Sequence, residues 1–101
     1  MQSFFLTKEP KDDLMDIAHY TESTWGKGQR NQYLKELDNA FYYLAKMPVK
    51  GRNCDYIRLG YRKYGVDKHL IFYRQVDNNS IEIVRILHGR MDVEQRLTEN
   101  K

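Results

Sequence analysis

Between Ser80 and His88 the chain reads Ile-Glu-Ile-Val-Arg-Ile-Leu, a β-prone run with apolar side chains on both of its faces. At a period of two, Ile81, Ile83 and Leu87 fall on one side and Val84 and Ile86 on the other. A strand patterned in this way belongs inside a sheet that is covered from both sides. Arg85 interrupts the run near its middle. A charge in that position must be paired or must line a functional concavity, because an uncompensated buried charge is costly.

The rest of the chain must supply the cover. Phe4-Phe5-Leu6-Thr7 reads as a short strand, bounded by Lys8-Glu9-Pro10. Pro10 suits the first turn of a helix, where Asp12 and Asp13 also favour the dipole. Leu14, Ile17, Ala18, Thr21 and Trp25 then recur at helical spacing, and Gly26 and Gly28 end the helix in a tight turn. A second, antiparallel helix is predicted from about Gln29 to Lys46, with Leu34, Leu37, Phe41 and Leu44 as its stripe. Met47-Pro48 and Gly51 stop it. Trp25 and Phe41 are both expected in the core. Ile57 to Lys63 reads as a strand interrupted by Gly60, Tyr64-Gly65-Val66-Asp67 as a turn, and His69 to Tyr73 as a further strand. Asp77-Asn78-Asn79 is a hairpin turn into the final run, and a polar tail with helical character follows from Asp92 to Leu97.

The expected fold class is α+β, in the order β-α-α-β-β-β. An N-terminal strand leads into an antiparallel helical hairpin packed on a mainly antiparallel, twisted sheet. At 101 residues this is a single domain spanning 1–101.

Charge divides the chain. Residues 1–47 hold six Lys/Arg against seven Asp/Glu, a balance of −1, whereas residues 48–101 hold eleven against seven, a balance of +4, which together give the net charge of +3. Either a solvated surface or an acidic partner accounts for that excess. Cys54 is the single cysteine, which excludes an internal disulfide and suggests a reducing compartment. It reads as a buried small residue. No signal-like or membrane-spanning segment is apparent, so the expected location is cytoplasmic, with no membrane partner.

The candidate chemistry is sparse. Arg58, Arg62, Lys63, Arg74, Arg85 and Arg90 fall within or beside the last three strands, where they can converge on one face toward phosphate or carboxylate. His88, flanked by Arg85 and Arg90, reads as an anion ligand, a general base, or a structural histidine at a strand end. Tyr42, Tyr43, Tyr61, Tyr64 and Tyr73 can stack on bases or pack core edges. There is no metal-ligand spacing, nucleotide loop or nucleophile elbow, so no metal and no cofactor is expected. The pattern is that of a binding protein rather than an enzyme.

One stretch adds a resemblance. Ile83-Val84-Arg85-Ile86-Leu87-His88-Gly89-Arg90-Met91-Asp92 resembles the signature of ParE toxins in the RelE/ParE superfamily, an Arg-Ile-Leu-His core followed by Met-Asp. Ile57 to Lys63 and His69 to Tyr73 resemble that family's preceding strands. Asp13 to Ala18 with Trp25-Gly26 resembles its first helix, and Leu44 to Pro48 with Gly51 the exit from its second. The resemblance implies a RelE/ParE-like fold and a toxin neutralised by a ParD-like antitoxin. It further implies that the toxin poisons DNA gyrase, meets DNA only through gyrase or the antitoxin complex, and forms a homodimer in some states. On this basis Arg58, Arg62, Arg85, His88, Arg90 and Met91 are the expected partner-binding residues. The alternative within the superfamily is a RelE-like, ribosome-dependent mRNA endonuclease. Such toxins place an acid–base Tyr or His in the C-terminal tail, and here no Tyr or His follows Met91.

Overall fold

A computed structural model describes residues 3–89 together with Leu97. The elements are β1 (Ser3–Leu6), α1 (Lys8–Trp25), α2 (Lys27–Lys46), a 3-10 turn (Pro48–Lys50), β2 (Arg52–Asn53), β3 (Tyr61–Val66), β4 (His69–Asp77) and β5 (Ser80–His88). They build one five-stranded sheet in the order β1-β5-β4-β3-β2. The meander β3-β4-β5 is antiparallel, while β1 lies parallel to β5, with Ser3 opposite Ser80 and Leu6 opposite Ile83. The architecture is thus the α+β arrangement expected, with β2 as an added two-residue strand.

The helical hairpin covers one face of this sheet. Ile17, Tyr33, Leu37, Ala40, Phe41, Leu44 and Ala45 pack against Ile71, Tyr73, Ile81, Ile83 and Ile86. Gly26 alone makes the connection: at φ +92° it ends α1, its amide bonding Glu22, and its carbonyl accepts the amide of Arg30 in α2. That left-handed backbone suits a residue without Cβ. The Arg30 guanidinium also pairs with Glu22 across the turn. Gly28, expected to break the first helix, lies inside α2.

The other face carries a smaller core of Cys54, Tyr61, Phe72, Leu87 and Leu97, with Ile57, Leu70 and Val84 against it. β5 is therefore apolar on both sides, but its faces differ from a strict period of two. Phe72 stands opposite Arg85 and Tyr73 opposite Ile83, so Val84 is an extra residue in β5. This bulge puts Ile86 with Ile81 and Ile83 on the helical side, and Val84 with Leu87 on the other.

Three further expectations require correction. Ile57 to Gly60 is not strand: residues 55–60 form turns, and β3 begins at Tyr61. Tyr64 to Val66 is strand rather than turn, and the reversal falls at Asp67-Lys68. Trp25 is 69% exposed, whereas Phe41 is buried as expected. Trp25 ends α1, one helical turn beyond Thr21, the last buried residue of that helix. Of the tail from Asp92 to Leu97, only Leu97 falls among the described residues; it is helical and buried.

Candidate partner-binding surface

Arg85 is held from the other side of the fold. Its Nε and Nη2 donate to the two carboxylate oxygens of Asp13, in the second turn of α1, at 2.8 and 2.9 Å. The Ile86 amide donates to the same Asp13 carboxylate at 2.9 Å. β1 pairs with β5 only as far as Ile83, so Asp13 takes the place of a neighbouring strand for Ile86. Both side chains are largely buried, and the fork-to-fork geometry is the one that best offsets the desolvation of such a pair.

His88, at the end of β5, lies opposite His69 of β4, and their rings meet edge to face at 5.4 Å. The Tyr33 hydroxyl donates to the Val66 carbonyl at 2.9 Å and lies 2.8 Å from Nδ1 of His69. With its one proton on Val66, the hydroxyl accepts from Nδ1–H, which sets the tautomer of His69. Burial, then the neighbouring His88, pulls the His69 pKa below its ordinary value. Burial also pushes the Tyr33 phenol up to about 12. The pair is neutral near pH 7 and ties the sheet to α2.

The remaining cations of the last three strands are divided between the two faces: Arg62 stands opposite Tyr73 and shares its helix-side face, while Lys63 stands opposite Phe72 and Arg74 opposite Tyr61 on the other. Arg62, in β3, donates to the Gly51 carbonyl at 2.8 Å, beside the buried Tyr73 hydroxyl. That hydroxyl accepts from the Gly51 amide and donates to the Pro48 carbonyl, and a side chain at Gly51 would overlap it. Arg74 is paired with Glu82 on the adjacent strand. Lys63 lies beside the exposed Tyr56, its Nζ 3.4 Å from the hydroxyl. Arg58 projects from the turn before β3, and its side chain meets no carboxylate among the described residues.

The four expected partner-binding residues that the structure describes are therefore not one cluster. Arg58 and Arg62 lie at the β2–β3 end, while Arg85 and His88 lie on β5, with β4 between. Two strand spacings separate the groups by roughly 10 Å. Arg90 and Met91 lie outside the described residues. The tyrosines form no stacking platform: Tyr73 and Tyr61 are buried on opposite faces, Tyr64 meets Tyr43 at a tilt with ring centroids 5.8 Å apart, and Tyr42 packs edge-on against Phe4.

Three more features bear on function. An open groove of about 400 Å³ runs between α2 and β3, lined by residues that include Glu36, Tyr43, Tyr64 and Asp67. Cys54 is buried in the second core, and that burial raises its thiol pKa, which makes it a poor nucleophile. Among the described residues no group of three or more His, Cys, Asp or Glu could hold a metal ion, and no helix is long and apolar enough to cross a membrane.

Comparison with known proteins extends over nearly the whole chain. Residues 4–93 match the family model described as the ParE toxin of the type II toxin–antitoxin system parDE. A protein named Toxin ParE1 from Mycobacterium tuberculosis is 42% identical over 94 residues, covering 93% of this chain and 96% of that protein. Another Toxin ParE1, from Caulobacter vibrioides, is 34% identical over 97 residues, 96% of this chain and 99% of the relative. Among solved structures, a chain of the chromosomal ParDE TA system from P. aeruginosa superposes with a TM-score of 0.73 at 19% identity, covering 87% of this chain and 96% of that one. That likeness bears on the fold.

Proposed function

This chain belongs to the ParE toxin family of type II toxin–antitoxin systems, and from that premise we propose that it binds DNA gyrase in the cytoplasm, blocks replication without catalysing a reaction of its own, and is neutralised by a ParD-like antitoxin. The observation that carries this reading is 42% identity to a ParE1 toxin across 93% of the chain. The solved neighbour from a ParDE system supports a ParD-like protein as the antitoxin.

A binding role also fits what the polar side chains do. Arg85, Arg62 and Arg74 are engaged within the fold, His69 is held by Tyr33, and Cys54 is buried. Acid–base catalysis needs a titrating group within hydrogen-bond reach of a substrate, and these groups serve the protein's own packing. The tail after Met91 has no Tyr or His to take the role it has in RelE-like nucleases.

The test is a gyrase supercoiling assay beside a ribosome-dependent mRNA cleavage assay. Purified protein is expected to inhibit supercoiling and to leave ribosome-bound mRNA intact. Cleavage of the message with supercoiling unaffected would assign the chain to the endonuclease branch.

A further inference from the structure

The turn from Cys54 to Gly60 is braced by both backbone and side-chain hydrogen bonds, yet it holds Leu59 and Tyr56 out in solvent. Cys54 and Ile57 anchor it in the second core. The Cys54 carbonyl accepts the amides of Ile57 and Arg58, while the Cys54 amide donates to Tyr61 and the Tyr61 amide to Arg58. Asp55 binds the Asn53 side-chain amide with one carboxylate oxygen and the Gly60 amide with the other; its own amide donates to Asn53. Gly60, at φ +87°, closes the turn.

This bracing holds two large side chains outward. Leu59 is 85% exposed, and Tyr56, two residues beyond the buried Cys54, is 67% exposed. Exposed apolar residues are common, but Leu59 is the most exposed large apolar side chain among the described residues, and it shares one hydrogen-bonded turn with Tyr56. Arg52 and Arg58 are exposed beside them, and Lys63 reaches Tyr56. Asp55, the one acid in the turn, has its carboxylate occupied by the brace, and those hydrogen bonds, first that of Asn53, lower its pKa.

We propose that this turn, with Leu59 and Tyr56 as its anchor and Arg52, Arg58 and Lys63 as its basic rim, is the surface by which the toxin docks on an acidic face of its target protein. The inference rests on the gyrase reading for the identity of that target. An apolar tip selects a protein notch rather than a phosphate backbone, which offers Leu59 nothing to fill. The rim supplies the complementary charge, and the brace means little order has to be created on binding.

The experiment measures binding of the full chain to purified DNA gyrase and, separately, to plain duplex DNA. It compares wild type, Leu59→Asp, Arg58→Glu, and a control, Tyr20→Ser, on the exposed side of α1. Because residues 58 and 59 are exposed, both turn variants should melt like wild type. The expected result is that each loses about ten-fold or more in gyrase affinity while the control does not. Gyrase binding by both variants within about two-fold of wild type would overturn the docking surface and leave the gyrase reading intact. Tight binding of wild type to plain DNA, lost in the same variants, would overturn it in favour of a nucleic-acid surface. Failure of wild type itself to bind gyrase would refute the underlying reading before any variant is compared.

Discussion

Asp13 joins the two halves of the molecule through three hydrogen bonds, two from the Arg85 guanidinium and one from the Ile86 amide. Neither partner could be foreseen from local pattern, since 72 residues separate Asp13 from Arg85. The sequence did require that Arg85 be paired or face a cavity, and the first of these is what the fold provides. Removing one member of such a pair strands the other. Asp13→Ala is therefore expected to destabilise the fold by about 3–5 kcal/mol, and Asp13→Leu combined with Arg85→Met to recover part of that loss. Denaturant melts of the singles and the double would check this; strictly additive losses would argue against the coupling. His69 makes the second prediction. Burial and His88 lower its folded pKa beneath the ordinary 6.5, while Tyr33, Asp67 and Asp13 are the other groups around it. The unfolded chain thus binds more protons once the pH drops below 6.5. Stability should be flat above that value with respect to this group, and should fall with decreasing pH until the folded pKa is passed. Melting temperatures between about pH 7.5 and about pH 5.0 should decline less in His69→Gln than in wild type; parallel declines would remove His69 as a source.

Elements differ in how plainly their residues announce them. Both helices were legible because their stripes have the right period, and Leu37, Phe41 and Leu44 are buried where that period puts them. The same period misleads at Trp25, because α1 runs on for a turn after its last buried residue, Thr21, before Gly26 reverses the chain. Phe41→Ala should accordingly cost about 3–5 kcal/mol, whereas Trp25→Ala should stay within about 0.5 kcal/mol of wild type. Urea unfolding of the two variants compares them directly, and a large loss at Trp25 would mean that the hairpin packs differently. In the second half, Ile57, Leu59 and Tyr61 alternate as a strand would, but Asn53, Asp55 and Gly60 form a side-chain-braced turn. Those three residues were the available signal. β2 is too short to carry a pattern at all, and the bulge at Val84 shifts the faces of β5 without any mark in composition.

At the scale of the whole molecule, the basic excess of the C-terminal half is partly consumed by the fold. Arg85, Arg74 and Arg62 are turned to internal partners, while Arg52 and Arg58 remain exposed at the β2–β3 end. Counting charges along the chain could not separate these groups, because the separation depends on which strand edge and which helix each arginine meets. Tyr56 and Leu59 were passed over for a similar reason: in an alternating strand one face is expected to be buried, and only the braced turn leaves both in solvent. The fold order and the family were legible from the residues; the division of labour among the cations was not. The central claim, a gyrase-directed toxin, is tested most directly by incubating the purified protein with gyrase, ATP and supercoiled plasmid and then denaturing the complex. Linear plasmid should accumulate with the dose of protein and disappear when an equimolar ParD-like antitoxin is added first. Unchanged supercoiling and no cleaved plasmid at a large molar excess of protein would contradict it.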